Sequence, residues 1–398
     1  MANVFEQELS KNTVFLDRNA LSQSYIPDHL PHREAEIERM MRCLAPALQQ
    51  KTVNNLFLYG KTGVGKTSCT KHVIEKLLET KQKHNVPVDG VYINCAINNS
   101  KYQVMLKVAE YCCPGENLVG FPFAALFEKI LNYASSKNSN MVIVLDEIDK
   151  VNNLDDLMYA LTRANDELKS GHVSIIGITN NALFKDELDP RSKSTLCEEE
   201  MVFPPYNASQ LQSILEERIR IGFKPGSVDE SAINLAAALS AQESGDARYA
   251  LKLIVKAAEM TDAQGAAKIL DKHVVTARKS VEEDIVFDVI KTLPEHQKIV
   301  LRAIASLTSE GSKVRRLGEE RGELVLFSGE VFEQYEKECR KMEKSPRSAR
   351  WCREYIRDLE MLGLVTTTLS GKGVRGNTTL IKLTFPPDKV MLALQREN

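Results

Sequence analysis

The chain has 398 residues, of which 43% are apolar and 27% charged, and its formal net charge is −2. This composition excludes a disordered chain, the length predicts two or three domains, and the near-neutral charge means that any surface for an acidic partner must be local. No apolar run approaches the roughly 20 residues that cross a bilayer, and the N-terminus lacks a signal pattern, so we expect a cytoplasmic protein without a membrane partner.

The first strong feature in chain order is an apolar run, residues 56–59, followed by a glycine-rich loop and then by apolar residues at helical spacing. The loop "GKTGVGKT" fits the pattern G-x-x-x-x-G-K-[ST] between a strand and a helix. Glycines let successive backbone N–H groups face phosphate oxygens, and the helix N-terminus adds partial positive charge. The predicted nucleotide-binding residues of this loop are Gly60, Lys61, Thr62, Gly63, Val64, Gly65, Lys66, Thr67 and Ser68. The alternative is an ordinary glycine-containing turn.

A second apolar run, residues 141–145, ends in Asp146 and Glu147. Acidic residues at the carboxyl end of a buried strand lie at the sheet edge where nucleotides bind. We predict that Asp146 and the hydroxyl of Thr67 hold Mg²⁺, that Lys66 reaches the β- and γ-phosphates, and that Glu147 polarises the attacking water. The alternative is a strand that ends in solvated acids.

Three later residues could contact the γ-phosphate. Asn180 follows a buried strand at residues 173–178, Arg191 lies in the loop "DELDPRSKSTL", and Arg248 begins the helical pattern "SGDARYALKLI". An amide can orient water, and a guanidinium can neutralise transition-state charge, in cis or in trans. Each has an ordinary alternative: a turn former, a solvated surface arginine and a surface salt bridge, respectively.

The chain divides into three predicted domains. Residues 1–220 alternate strands and helices, including a strand from Val91, and indicate an α/β nucleotide-binding domain with a parallel sheet. Residues 221–280 have the composition of a small helical lid, and 279–284 suggest a linker. Residues 281–398 form the third domain, which begins with three helical patterns.

In the third domain, a helix that starts at Ser345 and Pro346 is predicted to carry two opposite faces. The predicted core face comprises Cys352, Tyr355, Ile356, Leu359 and Leu362. The predicted DNA-facing side comprises Arg347, Arg350, Arg353 and Arg357. Gly363 ends the helix, and strands at 364–368 and 379–385 flank a hairpin that carries Lys372 and Arg375. This is the pattern of a winged helix, with a helix for the major groove and a wing for the minor groove or backbone, although winged helices also bind proteins.

These elements together resemble an AAA+ ATPase, and three stretches resemble more specifically the archaeal replication-initiator family, relatives of the eukaryotic origin-recognition and helicase-loading ATPases. The stretches are "YIPDHLPHREAEI", "FPPYNASQLQSILEERI" and "SGDARYAL". The resemblance covers nearly the whole chain. It implies an α/β fold with an AAA+ parallel-sheet P-loop domain, an α-helical lid and a C-terminal winged-helix domain.

The resemblance also implies roles for particular residues. Ile26 and Pro27 would flank the adenine, and Tyr206 and Arg218 would lie near the base and the ribose-phosphate. In the same way Asn180 would be the first sensor, Arg191 the arginine finger and Arg248 the second sensor. The family has a helical wedge for the DNA minor groove at the position of residues 115–123, where a plain core helix–turn–helix is an equal alternative.

The function that the resemblance implies is an ATP-dependent initiator of DNA replication. Such a protein binds double-stranded origin DNA, helps to recruit or load the replicative helicase, associates with the chromosome and with other copies or paralogues, and uses ATP or ADP with Mg²⁺ as a slowly hydrolysed switch. The wing sequence "GKGVRGN" has fewer arginines than is usual in the family, which weakens its expected share of DNA binding. Two alternatives remain open: a clamp-loader-like or remodelling ATPase whose winged helix binds protein, and an ATP-gated transcription regulator.

Overall fold

The structure is a computed structural model that describes residues 13–22, 25–181, 183–184, 188–189, 199–310, 325–369 and 379–395. The chain forms two compact units, Met1–Val275 and Thr276–Asn398. Three predicted site residues, Arg191, Lys372 and Arg375, lie outside the described residues.

The described strands are β1 (Leu56–Tyr59), β2 (Val88–Asn94), β3 (Asn140–Asp146), β4 (His172–Thr179), β5 (Glu199–Val202), β6 (Leu326–Phe327), β7 (Val365–Leu369) and β8 (Thr379–Leu383). The helices of the first unit are α1 (Glu34–Leu44), α2 (Lys66–His84), α3 (Lys101–Cys112), α4 (Phe123–Lys137), α5 (Leu154–Glu167), α6 (Ala208–Gly222), α7 (Glu230–Glu243) and α8 (Ala247–Ala263). They are followed by α9 (Asp271–Thr292), α10 (Glu295–Glu310), α11 (Ser328–Lys341), α12 (Ala349–Met361) and α13 (Pro387–Gln395).

The first unit is built on a parallel sheet with the strand order β2-β3-β4-β1-β5. Its strands alternate between two apolar layers. Phe57 and Tyr59 of β1 pack with α3, α4 and α5, whereas Leu56 and Leu58 pack with α1 and α2. Because the strands are parallel, the loops that follow β1, β3 and β4 meet at one edge of the sheet, which confirms the α/β fold expected from the sequence.

The lid helices α6 to α8 are held by local caps. Asn207 and Gln210 form a reciprocal capping box at the start of α6, and Asp246 accepts the Arg248 amide at the start of α8. Residues 13–22 also pack on this part of the unit, where the rings of Phe15 and Phe223 stack with centroids 5.1 Å apart. The start of the chain, which the sequence assigned to the nucleotide-binding domain, therefore contacts the lid.

The second unit contains the three predicted helices α10, α11 and α12, and an antiparallel sheet with the order β6-β8-β7. This is the predicted winged-helix arrangement. The predicted start of α12 at Ser345 was wrong, because the helix begins at Ala349 and Arg347 precedes it. The Arg347 amide donates instead to the hydroxyl of Tyr335 at 3.1 Å, which holds residues before Ser348 outside the helix.

Two other expectations need correction. Leu362, predicted on the core face of α12, follows the end of the helix and is 47% exposed. Its neighbour Gly363 takes a left-handed conformation with φ of 72°, as a terminating glycine does. The suggested linker at 279–284 lies inside α9. Among the described helices, none is long and apolar enough to cross a membrane.

Candidate functional sites

The phosphate loop connects β1 to α2 through glycines that other residues could not replace. Gly63 and Gly65 have φ of 70° and 95°, in the left-handed region. A Cβ on Gly63 would lie 1.6 Å from Oδ1 of Asp246, and a Cβ on Gly65 would lie 2.9 Å from the hydroxyl of Tyr206. The loop thus requires glycine both for its backbone conformation and for close approach of the lid.

Lys66 is the first residue of α2 and its side chain folds back into the loop. Its Nζ donates to the carbonyl oxygens of Gly60 and Lys61, at 2.6 and 2.7 Å, and to Oδ1 of Asn180 at 2.7 Å. Burial lowers the pKa of Lys66 to about 8, and the negative charge of Asp146 opposes this shift. The ammonium group is therefore satisfied by three neutral oxygens at the place where a phosphate would bind.

The acidic residue predicted to hold a metal lies directly beside the loop. Oδ2 of Asp146 accepts hydrogen bonds from Oγ1 of Thr67 at 2.8 Å and from the hydroxyl of Tyr92 at 2.5 Å. Burial raises the pKa of Tyr92 well above its usual value of 10, and the hydrogen bond to Asp146 adds to the shift, so the phenol stays a donor. A carboxylate and a hydroxyl at a phosphate cradle are oxygen ligands of the kind that Mg²⁺ prefers, and the residues present fit this ion.

Glu147 follows Asp146 in a conformation that is uncommon for a residue with a side chain. Its φ and ψ are 56° and 47°, in the left-handed region, and it precedes the 3₁₀ turn Ile148–Lys150. This turn takes the chain out of the strand direction and leaves Glu147 on the wall of the cleft.

These residues surround one cleft of the first unit. The structure brings most of the predicted nucleotide-site residues together there. Those that line the cleft are Pro27, Thr62, Gly63, Val64, Gly65, Lys66, Thr67, Ser68, Asp146, Glu147, Asn180, Tyr206, Arg218 and Arg248. Ile26, Gly60 and Lys61 are not among the lining residues.

Arg218 and Tyr206 line the cleft but already have partners within the protein. Arg218 donates to the carbonyl oxygens of Ala20 and Tyr25, each at 3.0 Å, and its guanidinium lies 4.5 Å from the ring centre of Tyr25. It therefore ties the segment that precedes Ile26 to lid helix α6. The ring of Tyr206 packs beneath the loop beside Gly65, and burial raises the pKa of Tyr206 to about 12.

Arg33 is a residue of this site to which the sequence assigned no role. It is only 2% exposed, and its guanidinium lies 4.0 Å from the ring centre of Tyr206. It donates to the carbonyl oxygens of Val64 at 2.9 Å and Pro204 at 2.6 Å, and pairs with Glu36 at 2.9 Å. Arg33 thus joins the phosphate loop to the segment that leads into the lid. The stretch "HREAEI" was the sequence signal from which a role for Arg33 could have been predicted.

The lid also contacts the loop directly. The Ala247 amide donates to the carbonyl oxygen of Gly63 at 3.2 Å, and Arg248 follows on the wall of the cleft. A ligand between the loop and α8 would therefore sit against both parts of the unit. Such a contact gives ligand occupancy a physical route to the lid.

In the second unit, α12 has the predicted two faces. Cys352, Ile356 and Leu359 are buried, and the opposite side is exposed. The exposed arginines of this segment are Arg347, Arg350, Arg353 and Arg357. Arg357 lies 3.5 Å from Glu354, so part of the positive charge on this face is offset locally.

Residues 113–122 connect α3 to α4 and combine features of both alternatives considered for this segment. Leu118 is 1% exposed and belongs to the apolar core of the first unit, whereas Val119 is 69% and Phe121 39% exposed. The Gly120 amide, between Val119 and Phe121, donates to the hydroxyl of Tyr102 at 2.9 Å and so fixes the turn. One side chain anchors the loop and two apolar side chains remain at the surface.

Three models of known protein families match successive parts of the chain. Residues 29–176 match the AAA ATPase domain, 212–279 match the Cdc6 AAA+ ATPase-type lid domain, and 288–393 match the CDC6 C-terminal winged helix domain. The three matches follow the order of the sheet, the lid helices and the winged helix along the chain.

Similar proteins extend over nearly the full length. The ORC1-type DNA replication protein of Thermococcus onnurineus is 41% identical over 98% of this chain and 92% of its own length. That of Pyrococcus furiosus is 40% identical, with the same coverage of both chains. Among solved structures, the Aeropyrum pernix ORC1 protein in complex with DNA has a TM-score of 0.84 at 35% identity, with coverage of 97% of this chain and 98% of that one.

Proposed function

Because this chain belongs to the family of ORC1-type DNA replication proteins, we propose that it is an ATP-controlled initiator that binds duplex DNA at replication origins and helps to recruit the replicative helicase. The observation that carries the DNA-binding part is the exposed arginine face of α12, opposite buried Cys352, Ile356 and Leu359. Family membership favours this function over a clamp loader or a transcription regulator. The role in helicase recruitment rests on family membership alone.

We further propose that the cleft of the first unit holds ATP or ADP with Mg²⁺. Thr67 and Asp146 would hold the ion, whose positive charge offsets that of the phosphates. Lys66 would exchange its present carbonyl partners for β- and γ-phosphate oxygens. The loop amides after Gly60 would bind the same phosphates, since the glycine conformations leave room for them.

Hydrolysis would depend on two residues at the ends of neighbouring strands. Glu147, on the cleft wall after β3, would accept a hydrogen bond from the attacking water and orient it. Asn180, after β4, would bind the γ-phosphate or the same water once Lys66 has moved to the phosphates. Arg248 would reach the γ-phosphate from α8, so that loss of this group changes the contact between lid and loop.

DNA would be held by the second unit and by one loop of the first. The arginines of α12 would enter the major groove, as a winged helix requires. Val119 and Phe121, exposed between α3 and α4, would pack against sugars in the minor groove. The structure of the Aeropyrum pernix ORC1 protein in complex with DNA supports DNA binding as such by this chain.

A salt titration of duplex binding tests the proposal. If six phosphates are neutralised, the logarithm of the association constant should fall with that of the salt concentration at a slope of about −5. The titration should be repeated with ATP, with ADP and without nucleotide, because the proposal predicts that nucleotide changes the affinity. A flat titration, or identical curves in all three states, would contradict an ATP-controlled DNA-binding function.

A further inference from the structure

Tyr92 lies on β2, next to the strand that carries Asp146, and its ring faces α2. Its hydroxyl donates to Oδ2 of Asp146 at 2.5 Å, and Thr67 donates to the same oxygen at 2.8 Å. The ring is itself held in place, because Nζ of Lys71 in α2 lies 4.5 Å from its centre. One carboxylate oxygen is thus held by two O–H donors from opposite elements, β2 and α2.

We propose that Tyr92 is a positioning residue for the magnesium ion of this site, an inference that rests on the proposed nucleotide function. Thr67 donates its only hydroxyl proton to Asp146, so the lone pairs of the hydroxyl oxygen point away from that carboxylate. The direction of those lone pairs therefore follows the orientation of Asp146. Tyr92 fixes that orientation from the side of the sheet, and thereby places both oxygen ligands before the ion arrives.

The expected loss of Mg²⁺ affinity on removal of the Tyr92 hydroxyl follows from metal sites of other proteins. Groups that hydrogen-bond to a metal ligand orient it, and their loss typically costs about 10–100-fold in metal affinity or activity. Tyr92 is not among the residues that line the cleft. Its removal should therefore weaken the contribution of Mg²⁺ and leave metal-free nucleotide binding nearly unchanged.

The test compares Tyr92→Phe with a matched control, Tyr111→Phe, whose carboxylate partner lies on the same strand as Tyr92. Asp89 of β2 accepts a hydrogen bond from the hydroxyl of Tyr111 at 2.8 Å and another from Ser139 at 2.6 Å, remote from the cleft. Tyr111→Phe therefore removes a tyrosine–carboxylate hydrogen bond of the same kind without touching the proposed ligands. Binding of a fluorescent, non-hydrolysable ATP analogue to the full chain is measured in EDTA and over a series of Mg²⁺ concentrations.

We expect the Mg²⁺ concentration for half-maximal tight binding to rise about tenfold or more in Tyr92→Phe, with affinity in EDTA unchanged. Tyr111→Phe should follow the wild type in both conditions. Coincident Mg²⁺ curves for wild type and Tyr92→Phe, or an equal loss of affinity with and without Mg²⁺, would overturn the inference about Tyr92. A wild-type protein that binds no nucleotide, or binds it without regard to Mg²⁺, would instead refute the proposed nucleotide site.

Discussion

Nζ of Lys66 and Oδ1 of Asn180 lie 2.7 Å apart, although the two residues are 114 positions apart in the chain. Lys66 begins α2 after β1, and Asn180 follows β4, which pairs with β1. The hydrogen bond therefore joins the phosphate loop to the neighbouring strand end. In the proposed function, a phosphate that displaces Asn180 from the ammonium group of Lys66 would free this amide, and the proposed first sensor would respond to occupancy through this contact.

The affinity for ADP should fall as the pH rises above about 8. Burial lowers the pKa of Lys66 to about 8 in the free protein, whereas phosphates favour the charged ammonium form. Below this pH the lysine already carries its proton. Above it, binding must first take up a proton, and the dissociation constant should rise by about tenfold per pH unit.

Calorimetric titration of the protein with ADP in buffers of different ionisation enthalpy measures this proton directly. At pH 9 the wild type should take up close to one proton per ADP bound, and at pH 7 close to none. Lys66→Ala should bind ADP far more weakly at both values. Tight binding at pH 9 without proton uptake would contradict the assignment of Lys66 as the titrating phosphate ligand.

Glu147→Gln should stop hydrolysis and keep ATP bound. The amide matches the carboxylate in size and tolerates the same backbone conformation, but it cannot act as a base toward water. A positioned base typically contributes about 100- to 10,000-fold to a rate, so single-turnover hydrolysis should slow by at least about 100-fold.

A partly exposed glutamate on a helix of the same unit provides the control for this variant. Glu110→Gln, at the surface of α3, changes the charge by the same amount and should hydrolyse ATP at the wild-type rate. Retention of ATP is followed with labelled nucleotide on a filter. Hydrolysis by Glu147→Gln at the wild-type rate would show that another residue acts as the base.

Most of the sheet could be predicted from the sequence because its central strands β1, β3 and β4 are largely apolar. Strand β5 could not, because its sequence "EEMV" places two charged residues before two apolar ones and so offers no apolar run. The start of α12 was predicted wrongly for a different reason. Ser345 and Pro346 suit a helix start, but Ser348 is the N-cap, and the Arg347 amide before it donates to Tyr335 of another helix.

Residues of the candidate site also differ in whether their signal is local in the sequence or arises only from the fold. The loop and the acids after β3 could be predicted because each is a contiguous motif with its own chemistry. Arg33 could not, since its carbonyl partners in Val64 and Pro204 are 31 and 171 positions away. Tyr92 reads as one more residue of an apolar strand, and only the fold brings its hydroxyl to Asp146.

Loss of an arginine from the exposed face of α12 should weaken DNA binding. Arg350→Ala or Arg353→Ala should each cost about 1–3 kcal/mol of discrimination if the side chain contacts a guanine, or reduce the salt slope by about 0.9 if it contacts a phosphate. Fluorescence anisotropy with origin and random duplexes over a salt series separates the two outcomes.

The control removes the same charge from the first unit. Lys76 is exposed on α2 and paired with Glu79 at 3.0 Å, so Lys76→Ala should leave both the affinity and the slope unchanged. If Lys76→Ala and the two arginine variants lose affinity equally, α12 has no special part in DNA binding.

Arg33→Met should destabilise the first unit by about 3 kcal/mol in the absence of nucleotide. The variant leaves Glu36 and two carbonyl oxygens, of which that of Val64 is buried, without their donor, and breaking a buried ion pair typically costs about 3–5 kcal/mol. The single tryptophan of the chain, Trp351, lies in the second unit. The unfolding transition in urea that is followed by circular dichroism should therefore shift, while the transition followed by tryptophan fluorescence stays in place.

Arg42→Met, which breaks an exposed pair with Glu38 on the same helix, should cost less than about 1 kcal/mol. Equal effects of the two variants would show that Arg33 does not hold the phosphate loop to the lid segment.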